Sequence, residues 1–181
     1  MLSLIAIAAC SPTEEGQARP EDPDGTAHGS LERSTARSST PTGAPSVELA
    51  RTNPCSLLSA DELSDYGAFN EPTSEDIGSA RACRYELDRQ GSQLEGLRIA
   101  TAIRESTGVS QAVDRGMGLR TTEANGRQLA QIPSSGGCTV AIGVTDASRV
   151  DIVISTTAET ESACEIADEL AAVVEPKLPK G

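Results

Sequence analysis

Cys10, Cys55, Cys83, Cys138 and Cys164 are the residues of this chain best equipped for covalent chemistry, and their surroundings divide them into one and four. Cys10 closes the run Ile7-Ala8-Ala9-Cys10, in which small residues precede a cysteine at the end of an apolar stretch; this is the arrangement of a bacterial lipobox, where cleavage leaves an acylated cysteine as the mature N-terminus. Residues 1–9 are apolar apart from Ser3 and as a helix would reach only about 14 Å, too short for a hydrocarbon core of about 30 Å. They are therefore expected to be the remnant of a signal peptide, its basic leading region missing through a late start or a clipped leader. A multiply acylated, palmitate-bearing Cys10 would hold the chain durably at a bilayer, because two lipid signals suffice where one is marginal.

The remaining four cysteines contain no C-x-x-C, and the single histidine, His28, precedes all of them, so neither a zinc site nor a thioredoxin-like redox pair is expected. Four cysteines allow three connectivities. Sequence order favours Cys55 with Cys83 and Cys138 with Cys164, each closing a loop of just under about 30 residues and stabilising by roughly 3 to 4 kcal/mol in a loop-entropy model. Disulfides of this kind persist only in an oxidising compartment.

Other chemistry is scarce. A serine or cysteine nucleophile needs a base, and beyond His28 the chain offers only Lys177 and Lys180, both in the C-terminal tail. The carboxylate pairs Glu86 with Asp88 and Glu165 with Glu169 read as solvated faces, and the acidic stretch Glu71 to Asp76 lacks the D-x-D-x-D-G order of a calcium loop. Glycines at 116, 118, 136 and 137 match neither a P-loop nor a dinucleotide fingerprint. A formal net charge of -12 disfavours nucleic acid and anionic headgroups as partners, and Tyr66, Phe69 and Tyr85 are too few for a stacking platform. No catalytic residue, cofactor or metal is assigned.

The elements that must position these cysteines can be read from periodicity. Residues 10–50 are rich in Pro, Gly, Ser, Thr and acids, with Leu31, Val47 and Leu49 the larger aliphatics, and are expected to form a disordered linker behind the lipidated N-terminus. At roughly 40 residues it would span on the order of 35 Å. Residues 51–181 are expected to be one disulfide-stapled domain. Within it, Ser59 and Glu62 have capping-box spacing, predicting a short helix from Ser59 that ends at Gly67. Glu71 to Asp76 reads as a loop. Alternation predicts strands over 82–89 and 97–103, joined at Gln90-Gly91-Ser92 as a hairpin. A short helix is expected over 109–115. Asn125-Gly126 opens a strand over 127–132, a loop follows over 133–137, and a second hairpin carries Cys138, Val140, Ile142 and Val144 against Val150, Ile152 and Ile154, turning over 146–149. From Thr160, Cys164, Ala167, Leu170, Ala171 and Val174 recur at helical spacing until Pro176. The expected fold is α+β: an antiparallel sheet with a short N-terminal helix and a C-terminal amphipathic helix packed on it, a two-layer sandwich held by two disulfides.

Several of these pieces together resemble a family of actinobacterial lipoproteins known as domain-of-unknown-function family 3558. They are Asn53-Pro54-Cys55-Ser56-Leu57-Leu58 with Ser59-Ala60-Asp61-Glu62-Leu63, then Cys83-Arg84-Tyr85, Asn125-Gly126-Arg127, Gly137-Cys138-Thr139-Val140, Ala163-Cys164 and Glu175-Pro176-Lys177-Leu178-Pro179. Tyr85 stands where members often carry Trp, a departure that touches packing more than function. The resemblance implies an exported lipoprotein with paired cysteines and implies no activity. The expectation is therefore a non-catalytic, extracytoplasmic domain tethered to the cell membrane through Cys10, with a protein or small ligand of the envelope as partner. The alternative is a structural accessory subunit of a membrane complex.

Overall fold

Residues with β-branched side chains on every second position need a partner strand for their backbone and a cover for one face, and the computed structural model supplies both. It describes residues 47–88 and 96–180. Among these, seven strands form one antiparallel sheet: β1 (Thr73–Ile77), β2 (Ala80–Glu86), β3 (Arg98–Arg104), β4 (Arg120–Ala124), β5 (Arg127–Ser134), β6 (Gly137–Thr145) and β7 (Ser148–Ser155). Their spatial order is β1-β2-β3-β7-β6-β5-β4. Two meanders are thus joined along β3 and β7, in a register running from Arg98 opposite Ser155 to Arg104 opposite Arg149.

One face of the sheet is covered. Helix α2 (Thr160–Val174) lays Ala163, Cys164, Ala167, Leu170, Ala171 and Val174 on it, the spacing of a single helical stripe. Under that stripe lie Val140, Ile142, Val150, Ile152 and Ile154; beside them, Ile99 and Ile103 meet Leu57, Leu58 and Leu63 from the segment ahead of β1. The expected α+β sandwich is therefore present, with the boundaries of β2, β3, β6, β7 and α2 close to those read from the alternation.

Four local expectations require correction. The short N-terminal helix is α1 (Val47–Arg51), whose Leu49 is 0% exposed, so order begins inside the tract read as linker. Residues 59–66 form turns and a 3-10 turn at Ser64–Tyr66 instead of a helix. The capping box does form, with the Ser59 amide donating to Glu62 Oε2 and the Glu62 amide to Ser59 Oγ, but too few residues remain before Gly67 (φ 130) to repay helix nucleation. Glu71 to Asp76 is not a loop throughout, because Thr73–Ile77 pairs with β2 as an edge strand. Likewise the segment from Val109 is helical only as a 3-10 turn over Val109–Gln111, after which Ala112 is extended.

Two further differences concern the second meander. β4 showed no alternation because both of its faces are exposed, and Asn125-Gly126 turns β4 into β5 with positive φ at both residues (53 and 75), the signature of a two-residue hairpin. Pro133 belongs to β5, opposite Cys138, and Ser148 and Arg149 belong to β7. The turn expected at Gln90-Gly91-Ser92 lies outside the described residues.

The opposite face of the sheet is covered differently. The connection from β3 to β4 crosses β7, β6 and β5 on that side, and Val109, Ala112 and Leu119 pack there on Ala130, Ile132 and Ala141. Gly108 permits this passage: a Cβ there would sit 2.0 Å from the Asp146 carbonyl oxygen.

Candidate functional site

The cysteines read as staples are where sequence order placed them. Cys55 on a 3-10 turn (Pro54–Ser56) is bonded to Cys83 on β2, and Cys138 on β6 to Cys164 on α2, with S–S distances of 2.03 and 2.00 Å. Each bond ties a covering segment to the strand beneath it, the first within the β1-β2-β3 half and the second within the β4-to-β7 half. Cys10 and His28 lie outside the described residues.

Two of the candidate carboxylates, Glu86 and Glu169, have partners outside their pairs. Glu86 is exposed and meets Arg84 at 3.4 Å. Glu169 accepts the Tyr66 hydroxyl at 2.6 Å, and burial first, with that carboxylate second, raises the phenol pKa. Among the described residues no three His, Cys, Asp or Glu side chains converge as metal ligands, and no helix is long and apolar enough to cross a membrane.

What the structure does assemble from charged residues is a set of clamps. Arg127 follows the Asn125-Gly126 turn and is in phase with Leu129, so it points toward the helix side of the sheet. There its Nε donates to Glu175 Oε1 at 2.9 Å, Nη1 to the Gly143 carbonyl at 3.1 Å, and Nη2 to the carbonyls of Leu178 and Pro179 at 3.1 and 2.8 Å. Asn125 Nδ2 donates to the other Glu175 oxygen at 3.0 Å. Lys177 Nζ donates to the Leu57 carbonyl and the Glu62 carboxylate, both at 2.8 Å, which holds Glu62 below its ordinary pKa of 4.5. Arg81 grips α1 from β2, donating to the carbonyls of Leu49 and Thr52 at 3.0 and 2.8 Å, a favourable cation at a helix C-terminus.

A second cluster lies on the opposite face. Asp151 is 2% exposed and accepts from Arg149 Nε at 2.7 Å and Arg104 Nε at 2.6 Å, while Arg149 Nη1 donates to the Gly108 carbonyl at 3.0 Å. No buried side-chain nitrogen or oxygen among the described residues lacks a partner. This cluster is a satisfied ionic staple that pins the crossing connection to β7 and β3. It offers no unspent group for chemistry.

Sequence reading missed these clamps for a common reason: each sits in a strand or tail whose apolar neighbours dominate the pattern. The available signal was phase. Arg81 and Arg127 occupy the same alternation as core residues, and Arg149 and Asp151 interrupt an otherwise apolar β7, so each must find partners when its strand is buried.

A groove of about 840 Å³ lies at the β4–β5 turn. Glu123, Arg127, Asp146, Glu175 and Lys180 give it a polar wall, and Arg127 and Glu175 are already engaged with each other. Exposed large apolar side chains lie elsewhere: Val113 and Met117, 68% and 50% exposed, on the loop before β4, and Val47 and Ile77 near the opposite edge. The remaining accessible feature is the outer edge of β4 itself, exposed at all five residues.

The residues carrying the family resemblance can now be placed. Asn53 caps the Cys55 amide; Pro54 and Leu58 offer carbonyls to Thr101 and Tyr85; Leu57 and Glu62 accept from Lys177; Asn125 and Arg127 donate to Glu175. The recurrent pieces are thus the joints of the fold. No protein of curated function and no solved structure matches this chain. The model of a family described as Protein of unknown function (DUF3558) matches residues 5–177, nearly the whole length, and the chain belongs to that family.

Proposed function

We propose that this protein is a cell-envelope lipoprotein whose domain is held at the extracytoplasmic face of the membrane by a lipidated Cys10 and binds a protein or small ligand there without catalysing a reaction. The observation that carries the reading is the use of the cysteines. Four of the five are consumed in two disulfides, which need an oxidising compartment, and the fifth is the one that follows Ile7-Ala8-Ala9. The resemblance to actinobacterial lipoproteins points the same way. The non-catalytic part is supported by how one of the two candidate bases and one of the candidate carboxylates are spent: Lys177 is tied to Glu62 and Leu57, and Glu169 accepts the Tyr66 hydroxyl.

The test is metabolic labelling of the full-length chain in its native host with an alkynyl palmitate analogue, together with detergent-phase partitioning. The wild type is expected to carry label and enter the detergent phase, and Cys10→Ala to do neither. An unlabelled wild type, or label retained by the variant, overturns the anchor.

A further inference from the structure

We propose that the outer edge of β4 is a self-association site, at which two copies of this chain pair β4 with β4 antiparallel about a two-fold axis through Thr122. The proposal rests on the strand edge and stands apart from the lipid-anchor reading.

The hairpin fixes which backbone groups are available. In a two-residue hairpin the closing pair, here Ala124 and Arg127, exchanges both hydrogen bonds. Thr122 and Arg120, opposite Leu129 and Gln131, therefore also turn their amides and carbonyls toward β5, and Thr121 and Glu123 turn theirs outward. Among the described residues no strand pairs with these outward groups, which leaves them as a template for another strand.

Sheet geometry, with the use of both outward residues of each copy, then selects the register. If a second copy continues the sheet with its helix on the same side, residues on one face must oppose residues on the same face. Pairing about Thr122 satisfies this. Thr121 opposes Glu123 of the second copy and Glu123 opposes Thr121, each pair exchanging two backbone hydrogen bonds. Thr122 faces Thr122 as a non-hydrogen-bonded pair, a favourable cross-strand combination. The strand carries one Arg and one Glu, and no like charges meet across the axis.

The other edge is unsuited to the same use. Pairing β1 with itself about its central residue sets Glu75 against Glu75, with Asp76 beside it, a direct like-charge contact. The 3-10 turn carrying Cys55 also approaches this edge, with Cys55 Sγ 3.3 Å from Ser74 Oγ. Helix α1 lies near this edge too, since Arg81 of β2 holds its C-terminal carbonyls. β4 lies six strand spacings away, about 29 Å, and no strand of the described residues pairs with its outer edge.

The test uses single-cysteine probes in the purified full-length chain, oxidised mildly in solution, with the wild type as background. Opposed residues at a non-hydrogen-bonded position have Cα atoms about 4.5 Å apart, inside disulfide range, whereas two copies of residue 124 would be about 14 Å apart. Thr122→Cys is expected to give a covalent dimer, while Ala124→Cys and the β1 control Thr73→Cys are not. Thr121→Pro, on a Thr122→Cys background, removes one outward amide from each copy at a position where an edge strand tolerates proline, and is expected to weaken association by about tenfold or more. Thr122→Lys, an exposed substitution that sets two ammonium groups against each other, is expected to yield monomer in sedimentation. Mapping of the two native disulfides verifies folding of each variant. Equal cross-linking at 122 and 124, none at 122, or indifference to Thr121→Pro each overturns the proposal.

Discussion

Replacing Arg127 by Ala removes the guanidinium that joins the C-terminal tail to the sheet, and the cost can be bounded from its contacts. The side chain is 10% exposed and makes an ion pair with Glu175, itself 15% exposed, plus bonds to three carbonyls. Breaking a buried pair by removing one partner costs about 3 to 5 kcal/mol. Full addition of four bonds would exceed this, but the tail has an escape: residues 178–180 can lift and hydrate their carbonyls. That release forfeits the burial of Leu178, worth about 1.5 to 3 kcal/mol, along with the pair itself. A net loss of about 3 to 4 kcal/mol follows, and with a urea slope of about 2 kcal/mol/M the midpoint falls by about 1.5 to 2 M.

The assay is equilibrium urea unfolding of wild type, Arg127→Ala, a chain shortened by Leu178 to Gly181, and the combination. Because both changes act on the same contacts, the combined loss should fall short of the sum by at least about 1 kcal/mol. Arg127→Lys should recover the charge but not the fork to the carbonyls, and so lie between the two. A midpoint shift under about 0.5 M, or strict additivity with the truncation, would refute the clamp.

Three further outcomes are expected. Glu62 is held below its ordinary value by Lys177 first and the Ser59 amide second; a depressed carboxyl stabilises above its unfolded pKa and loses that contribution as pH falls through its folded pKa. The stability gap between wild type and Glu62→Gln should therefore narrow as the pH is lowered from 6 to 3, and a gap independent of pH would contradict the pairing. Gly108→Ala, whose Cβ would meet the Asp146 carbonyl oxygen at 2.0 Å, should destabilise by about 2 to 3 kcal/mol in calorimetry, since backbone cannot move aside as a side chain can. Replacing Cys138 and Cys164 together by Ala should cost about 3.5 kcal/mol for a loop of this separation, 26 residues, read as a lower melting temperature; an unchanged melting temperature would count against the bond.

How much could be read beforehand follows from where each residue sits. β6, β7 and α2 each turn an apolar face into the main core, so Val140, Val150 and Leu170 impose a period that a sequence displays. β1 and β4 are edges exposed on both faces, and nothing in Thr-Ser-Glu-Asp-Ile or Arg-Thr-Thr-Glu-Ala repeats, because no core selects their side chains. Asn125-Gly126 marked only the start of β5, because the strand it turns back from has no signature of its own. The staples were legible from cysteine order alone. The clamps were not, since Arg127 and Glu175 lie far apart in the chain and meet only once the tail has folded back; their chemistry is tertiary.

The junction between the two meanders has a consequence for how the chain assembles. Both disulfides close inside a half, and neither crosses from β3 to β7. A chain emerging N-terminus first can thus complete Cys55–Cys83 before the second pair appears, and the correct connectivity needs no long-range search. Docking of the halves is left to the β3–β7 ladder, Arg104 with Asp151, Tyr66 with Glu169 and Lys177 with Glu62. Oxidation therefore hastens the formation of each half while leaving the loop-closure entropy of their union untouched. That seam is where the slow step in folding of the oxidised domain is expected, and hydrogen exchange of the β3–β7 ladder, read against the ladders inside each half, checks it.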